Sequence, residues 1–450
     1  MPNYRGKFQY LSSQGNASQQ GGCQIQFDNE KFALTPESGA AIVFDLGDIN
    51  TLNAADYQID LTLYTGNVVR LEQFGKFYAD LSRELLESYR RRTLQCLLLE
   101  DMEEVDRFTG AFAIETSEAT PVSGPAEFRL FKSNLAVLPN GSQAFQWRLA
   151  DIENLKFDAQ NYELVLESAS GRLRANRLAK RTELFHSRLR DAIERVKADG
   201  AQVLHCILPF LNPDQLQAAT TVLPEGHSAM ARKLAAINPR IPEALAVNAV
   251  DKALKPYYDA LLSRTAKGSM FAGFKLIRPE DKDLAGAVAE EPGSDDGGGG
   301  EEGLRDADQA APQSLYWFFF PIAAKPDSTE VANVVAWEAS STSGRATYFF
   351  RLLDTREAGA LKDSNKSATA VERAVQRINR VLGMLNFRRR PIYLSDDELA
   401  GNPIFHRYAI AARRIPDLRQ VRSAFLGRAM HSSLEAWQGQ VKSILSKAGL

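Results

Sequence analysis

The sequence predicts an α+β fold: tandem, partly open antiparallel barrels, each closed by a C-terminal helix, followed by a helical insert and a helical tail. Three observations carry this. A phrase recurs, "DINTL" at 48–52 returning as "DIENL" at 151–155, and a whole register of residue types recurs with it. Apolar residues alternate with polar ones through both copies, which is the period of strands with one buried face. Near the end of each copy the apolar spacing switches to i, i+4, the period of a helix.

The elements follow in order. At an offset of 103 residues Ile25 falls on Phe128, Phe27 on Leu130, Phe32 on Leu135, Leu34 on Val137, Pro36 on Pro139 and Phe44 on Trp147. Upstream, "YRGKF" (Tyr4 to Phe8) falls on "FTGAF" (Phe108 to Phe112); downstream, "YQIDLTLYTG" (Tyr57 to Gly66) falls on "YELVLESASG" (Tyr162 to Gly171). The offset drifts by one residue at a time, where turns belong. Strands are predicted around Ile25-x-Phe27, Phe32-x-Leu34, Ile42-x-Phe44-x-Leu46, Ile59-x-Leu61-x-Leu63 and Val69-x-Leu71, with "DNEK", "PESG" and "TGN" as turns. Phe77, Leu81 and Leu85, which fall on Phe185, Leu189 and Ile193, predict the closing helices. Six or seven short strands and one helix in each copy must curl, because a flat sheet would leave its apolar face wet.

These residues resemble the pleckstrin-homology-like superfamily, particularly its bacterial members. They share an opening aromatic-x-Gly strand, a "TG" or "SG" hairpin before the last strands and a closing amphipathic helix. The resemblance covers the first 205 residues. It implies modules that bind proteins, peptides or, in some members, acidic lipid headgroups, without chemistry of their own. Members that bind phosphoinositides carry several basic residues around the first hairpin; here Lys7 is followed by no Lys or Arg until Lys31. The resemblance therefore carries no inositol-phosphate site to the first unit.

The expected organisation is one unit over 1–105, a second over 106–205, a helical insert over 206–267, a third and fainter unit over 268–390 and a helical tail over 391–450. The third unit rests on "FAGFKLI" (Phe271 to Ile277), "WEASSTSGR" (Trp337 to Arg345) and the helical spacing of Val371, Ala374, Ile378, Val381 and Leu385. Within it, residues 279–312 carry 11 acidic against 2 basic residues between Pro279 and Gln309, a composition with little to bury that predicts a disordered loop. The tail places Val421, Phe425, Leu434, Trp437, Val441 and Ile444 on one side of a long amphipathic helix.

Composition bounds the function. A chain of 450 residues, 44% hydrophobic and 24% charged with net charge −2, fits a globular protein of several domains with no global pull toward nucleic acid or membrane. Cys23, Cys96 and Cys206 are too few and scattered for a disulfide framework, and the last two lie in apolar runs that read as buried thiols. No apolar run approaches the ~20 residues of a spanning helix, which reads as a cytoplasmic protein. P-loop, dinucleotide, HExxH and CxxC signatures do not occur, so no cofactor, metal or catalytic residue is assigned and the chain reads as non-enzymatic. His205-Cys206, taken as neighbours in a strand, point to opposite faces and make no nucleophile pair. "LSDDELA" reads as a helix N-cap.

One local charge feature stands out. From Arg172 to Lys197 there are nine Lys or Arg against Glu183, Asp191 and Glu194. Arg172, Arg174, Arg177, Lys180 and Arg181 are the candidate site residues. Such a face fits phosphates of acidic lipid or nucleic acid, the chain's own acidic loop or an acidic partner, or plain solvent exposure. The leading expectation is a scaffold or adaptor that binds protein partners; the alternative is a peripheral anion-binding module.

Overall fold

The structure is a computed structural model; it describes residues 3–116, 120–277, 314–340, 345–354, 361, 364–402 and 405–450. The acidic stretch 279–312, expected to be a disordered loop, lies outside the described residues. The chain forms two compact units, Met1–Val196 with Ser395–Pro416, and Lys197–Leu394 with Asp417–Leu450.

In the first unit, strands β1 (Asn3–Leu11), β2 (Ala17–Phe27), β3 (Lys31–Pro36), β4 (Ile42–Asp45), β5 (Ile49–Ala55), β6 (Gln58–Leu63) and β7 (Val68–Glu72) precede helix α1 (Tyr78–Cys96). All pair antiparallel, in the order β4-β3-β2-β1-β7-β6-β5. A single apolar cluster takes residues from every strand and from Leu81, Leu85 and Tyr89 of α1, so the sheet curls around its own inner face and the helix covers the opening. Strands β8 (Glu104–Glu115), β9 (Val122–Phe131), β10 (Asn134–Pro139), β11 (Phe145–Arg148), β12 (Ile152–Asp158), β13 (Glu163–Ser168) and β14 (Gly171–Asn176) repeat this in the order β11-β10-β9-β8-β14-β13-β12, followed by α2 (Thr182–Ile207).

Aligned positions do the same work in both sheets. Leu61 and Leu166 are fully buried; Trp147 is buried, while Phe44 is half-buried and stacks on Phe32 at 4.9 Å. The glycine of the opening strand is a packing requirement. A Cβ on Gly6 would lie 2.6 Å from the Phe74 ring, and one on Gly110 would lie 2.5 Å from the Asn176 carbonyl and 3.0 Å from Leu178. Phe74 and Leu178 hold the same place after the last strand, a spacing of 104 that matches Gly6 to Gly110. Phe77, expected on the buried stripe, is instead exposed, because a 3-10 turn over Gly75–Phe77 precedes α1 and Phe74 takes the core position.

The two curled sheets of this unit are locked together. The second half of α1 continues past its own barrel, burying Thr93, Leu94 and Cys96, and Gly141 in the β10–β11 turn donates its N–H to the Leu52 carbonyl of β5 at 3.0 Å. Strand β10 is buried along its whole length, the signature of a strand covered on both faces. Residues 395–416 also belong here, as α9 (Asp396–Gly401) and α10 (His406–Arg414). Ser395 caps α9 with a reciprocal Glu398 bond, as "LSDDELA" predicted.

The second unit holds a six-stranded antiparallel sheet in the order β15-β16-β17-β18-β19-β20: β15 (Ser228–Met230), β16 (Phe271–Leu276), β17 (Ser314–Ala323), β18 (Val331–Ala339), β19 (Ala346–Arg351) and β20 (Phe425–Met430). Helices α3 (Pro213–Val222), α4 (Ala231–Ile237), α5 (Arg240–Ala249) and α6 (Lys255–Leu262) occupy the expected insert, and α7 (Ser364–Met384) packs on the sheet, with Asn379 accepting the Trp317 indole N–H at 2.9 Å. Residues 268–390, read as a third copy, supply β16 to β19; the sheet takes its edge strands from 228–230 and 425–430. Its aromatic-x-Gly has a different cause: Gly273 faces Trp317 across the β16–β17 pair, where a Cβ would meet the indole at 2.3 Å.

Two further expectations are corrected. The tail is not helical throughout. It comprises α8 (Arg390–Tyr393), α9, α10, α11 (Pro416–Ala424) and α12 (Leu434–Lys447), but Phe425–Met430 is a strand, because β19 offers a backbone ladder that overrides helical spacing. Trp437, Val441 and Ile444 are buried as expected. Cys206 is exposed rather than buried: His205 and Cys206 lie in the last turn of α2, not in a strand.

Candidate functional site

Of the predicted basic face, Arg172 and Arg174 lie on the outer side of β14, alternating with Leu173 and Ala175, which point into the core, while Arg177, Lys180 and Arg181 follow the strand. Three of the five candidates carry carboxylate partners. Arg172 pairs with Glu167 at 2.8 Å, Arg174 with Glu115 at 3.0 Å and Glu163 at 3.9 Å, and Arg181 with Asp106 at 2.9 Å. Arg181 also donates to the Arg107 carbonyl and lies over the Phe108 ring at 4.4 Å. The Asn154 amide and then the Arg172 guanidinium hold Glu167 below the usual carboxylate range. Arg177, at a positive φ of 55°, and Lys180 are exposed, and no ion pair is found for either among the described residues. The face is thus a ladder of alternating charge, and its exposed pairs interact weakly in water.

A stronger concentration of charge lies between the two curled sheets. Glu127 on β9 accepts from Arg90 of α1 at 2.9 Å and from Arg129 at 2.6 Å; Arg107 and Arg129 reach Glu104 at 3.2 and 3.5 Å. The Arg90 and Glu127 side chains are only 15% and 7% exposed. Burial lowers the Arg90 pKa, with Glu127 opposing it. No motif announced this cluster, because its members come together from three elements, α1, β8 and β9.

Helix α10 is clamped on the same unit by Arg407, which reaches Glu100 at 3.2 Å and Asp101 at 3.0 Å, by Arg413 to Asp48 at 2.8 Å and by Gln143 to the Arg414 carbonyl at 2.7 Å. Arg414 is fully buried and donates to the Tyr89 hydroxyl at 3.1 Å. Burial pushes the neighbouring Tyr64 up to about 12 and raises the Cys96 thiol.

The second unit holds a buried polar knot. Thr347 on β19 donates to Glu338 at 2.7 Å and accepts the Trp437 indole N–H at 2.9 Å; His431 lies 3.2 Å from Glu338 and stacks on Tyr257 at 3.9 Å. The knot joins α6, β18, β19 and α12. Being enclosed, it ties elements together and presents nothing to a substrate.

Two surface features repeat or break the repeat. Tyr57 and Tyr162, equivalent in the two copies, both take positive φ (60° and 50°) and both are exposed, with Tyr57 5.2 Å from Tyr78 and Tyr162 6.3 Å from Phe157. The edge strands differ. On β4 the central Val43 is 61% exposed, whereas its equivalent on β11, Gln146, is held by the Leu97 carbonyl and Asn134, each at 2.7 Å. The sequence carried a sign of this contrast in "AAIVF" against "QAFQW".

No cluster of three or more His, Cys, Asp or Glu side chains placed to hold a metal is found among the described residues. Among those residues no helix is long and apolar enough to cross a membrane.

No family model matches the chain, and no curated protein matches it. Among solved structures, a chain from the structure of the Spt16D Pob3N heterodimer is similar at 16% identity, over 38% of this chain and 84% of that one, with a TM-score of 0.13. A likeness at that TM-score carries no function to this chain.

Proposed function

We propose that this chain is a non-enzymatic intracellular adaptor whose first unit consists of tandem pleckstrin-homology-like modules that bind protein partners. The observation that carries the reading is the repeated strand order, each sheet closed by the helix that follows it, with the two copies fixed to one another by α1 and the Glu127 cluster. Two modules held rigidly present their surfaces at a fixed spacing, which lowers the ordering cost of engaging one partner at two points. The alternative, an anion-binding surface for acidic lipid or nucleic acid, is disfavoured by the carboxylates on Arg172, Arg174 and Arg181, which a phosphate must displace.

The test measures the purified chain against anionic liposomes and oligonucleotides, and in parallel recovers its partner from the source cell. The adaptor reading expects a stoichiometric protein partner retained through moderate salt, and no liposome or oligonucleotide binding at about 0.15 M ionic strength. Micromolar binding to either at that salt, lost when Arg172, Arg174 and Arg177 are changed together to Glu, overturns it.

A further inference from the structure

Residues 371–394 and 417–428 of the second unit hold nine arginines against two carboxylates, Glu372 and Asp417. Both carboxylates are engaged, Glu372 by Lys233 at 2.5 Å and Asp417 by Arg380 at 3.5 Å. On α7, Arg373, Arg377 and Arg380 fall at i, i+4 and i+7, which sets them on one stripe of the helix. Beside that stripe α7, α11 and the end of β19 form a cleft, lined by Arg351, Arg377 and Gln420 together with the buried Leu352, Ile378 and Val421. Among the described residues Asp354 is the one carboxylate that lines it.

The basic face of β14 is the internal comparison. There Arg172, Arg174 and Arg181 are each met by a carboxylate. In the second unit no ion pair or side-chain hydrogen bond is found for Arg351, Arg373 or Arg419 among the described residues; Arg373 and Arg419 are exposed and Arg351 is half-buried. An incoming carboxylate therefore displaces no resident one from these three. Exposed cations alone need no ligand. What sets this face apart is that its surplus of guanidinium groups borders a recess with an apolar lining, so charge and apolar contact are offered together.

We infer that this cleft receives an acidic segment of a protein partner, which seats one apolar side chain against Ile378 and Val421 and brings flanking carboxylates to Arg351, Arg373 and Arg419. Charge complementarity selects the acidic segment, and the planar guanidinium forks match carboxylates in particular. The inference rests on the adaptor reading and adds to it a contact on the second unit, with the chemistry of the partner named.

The probes are fluorescein-labelled peptides: glutamates around one central leucine, the same length of glutamate alone, and lysines around one central leucine. Each is titrated into the full chain and followed by anisotropy at about 0.05 and 0.15 M salt. The leucine-centred acidic peptide is expected to saturate, more weakly at the higher salt, and to bind at least about threefold tighter than glutamate alone. Arg373→Glu combined with Arg419→Glu, both at exposed positions without ion pairs, weakens it at least about tenfold and leaves the thermal midpoint in place. Arg351→Gln, which adds no charge of its own, weakens it in the same direction. Absence of saturable binding, equal binding by the lysine peptide, or binding unmoved by the double variant overturns the inference; equal binding by glutamate alone overturns the seat in the cleft. An oligonucleotide that binds and is lost in the double variant overturns the choice of occupant. So does peptide binding that emerges only when residues 280–308 are replaced by a Gly/Ser linker, since the chain's own acidic stretch then holds the face. If the cellular partner is retained equally by the parent chain and the double variant, the cleft is not its site, and the inference falls while the adaptor reading stands.

Discussion

Glu127→Ala is predicted to loosen the first unit more than Arg90→Ala, although the two residues share one ion pair. Removing Glu127 takes the shortest partner from both Arg90 at 2.9 Å and Arg129 at 2.6 Å, and the Arg129 side chain is only 6% exposed. Arg90 is then left with Asn140 at 3.1 Å and Arg129 with only the longer contacts to Glu104 at 3.5 Å and Glu87 at 3.9 Å, and removing the shared anion from two buried cations costs about 3–5 kcal/mol. Removing Arg90 leaves Glu127 with Arg129, so the loss is that of one charged hydrogen bond and some packing, about 1.5–3 kcal/mol. Hydrogen exchange followed by mass spectrometry reports the difference locally, in the amides of α1 between Leu85 and Cys96 and of β9 between Ala126 and Phe131. Where exchange proceeds through opening of this interface, Glu127→Ala accelerates it by roughly two to three and a half powers of ten. The double variant costs less than the sum of the single ones, because the two residues share a network. Equal protection in the two single variants, or strict additivity in the double one, refutes the assignment of Glu127 as the shared anion.

In the second unit, His431→Ala takes a hydrogen-bond partner from the buried Glu338, worth about 1–3 kcal/mol, and removes the stack on Tyr257, worth about 0.5–1.5 kcal/mol more, while Thr347→Val, which orphans the Trp437 indole N–H, costs about 1–3 kcal/mol; a urea midpoint unchanged in either variant would refute the reading of the knot. Burial pushes Cys23 up to about 11 and raises Cys96, whereas Cys206 is exposed. Near neutral pH a maleimide reagent should modify Cys206 alone in the native chain and all three thiols after denaturation, and labelling of Cys96 in the native state would contradict its place beneath α10.

The first 205 residues were legible because strands with one buried face write their period directly into the sequence, and because the chain writes that period twice. Leu61 and Leu166 show how far this reaches, being equivalent and both fully buried. Phe77 shows the limit: helical spacing located α1 but could not reveal that a 3-10 turn hands the core position to Phe74. Beyond residue 205 legibility fell because the sheet of the second unit is built from distant segments. Phe425 to Met430 has no strand signature until β19 stands beside it. At the basic face, sequence placed Arg172 and Arg174 on the outer side of their strand, yet could not see Glu115 and Asp106 arriving from β8. Charge counted along a chain omits the charges that folding brings alongside.

The return of residues 395–416 to the first unit has a consequence for the order in which the protein is made. When Val196 leaves the ribosome, the surface that receives α10 is bare, and its cover lies about 200 residues downstream, the difference between 395 and 196. At synthesis rates of 5–20 residues per second that interval is roughly 10–40 s. Through it Tyr64, Tyr89 and Cys96 border a site that lacks its helix, while the acidic stretch between Pro279 and Gln309 is being synthesised. The nascent chain therefore carries a timed hydrophobic exposure, closed only once residues 395–416 have been made, and a synonymous change that slows the ribosome between those two points lengthens it without altering a single residue of the finished molecule.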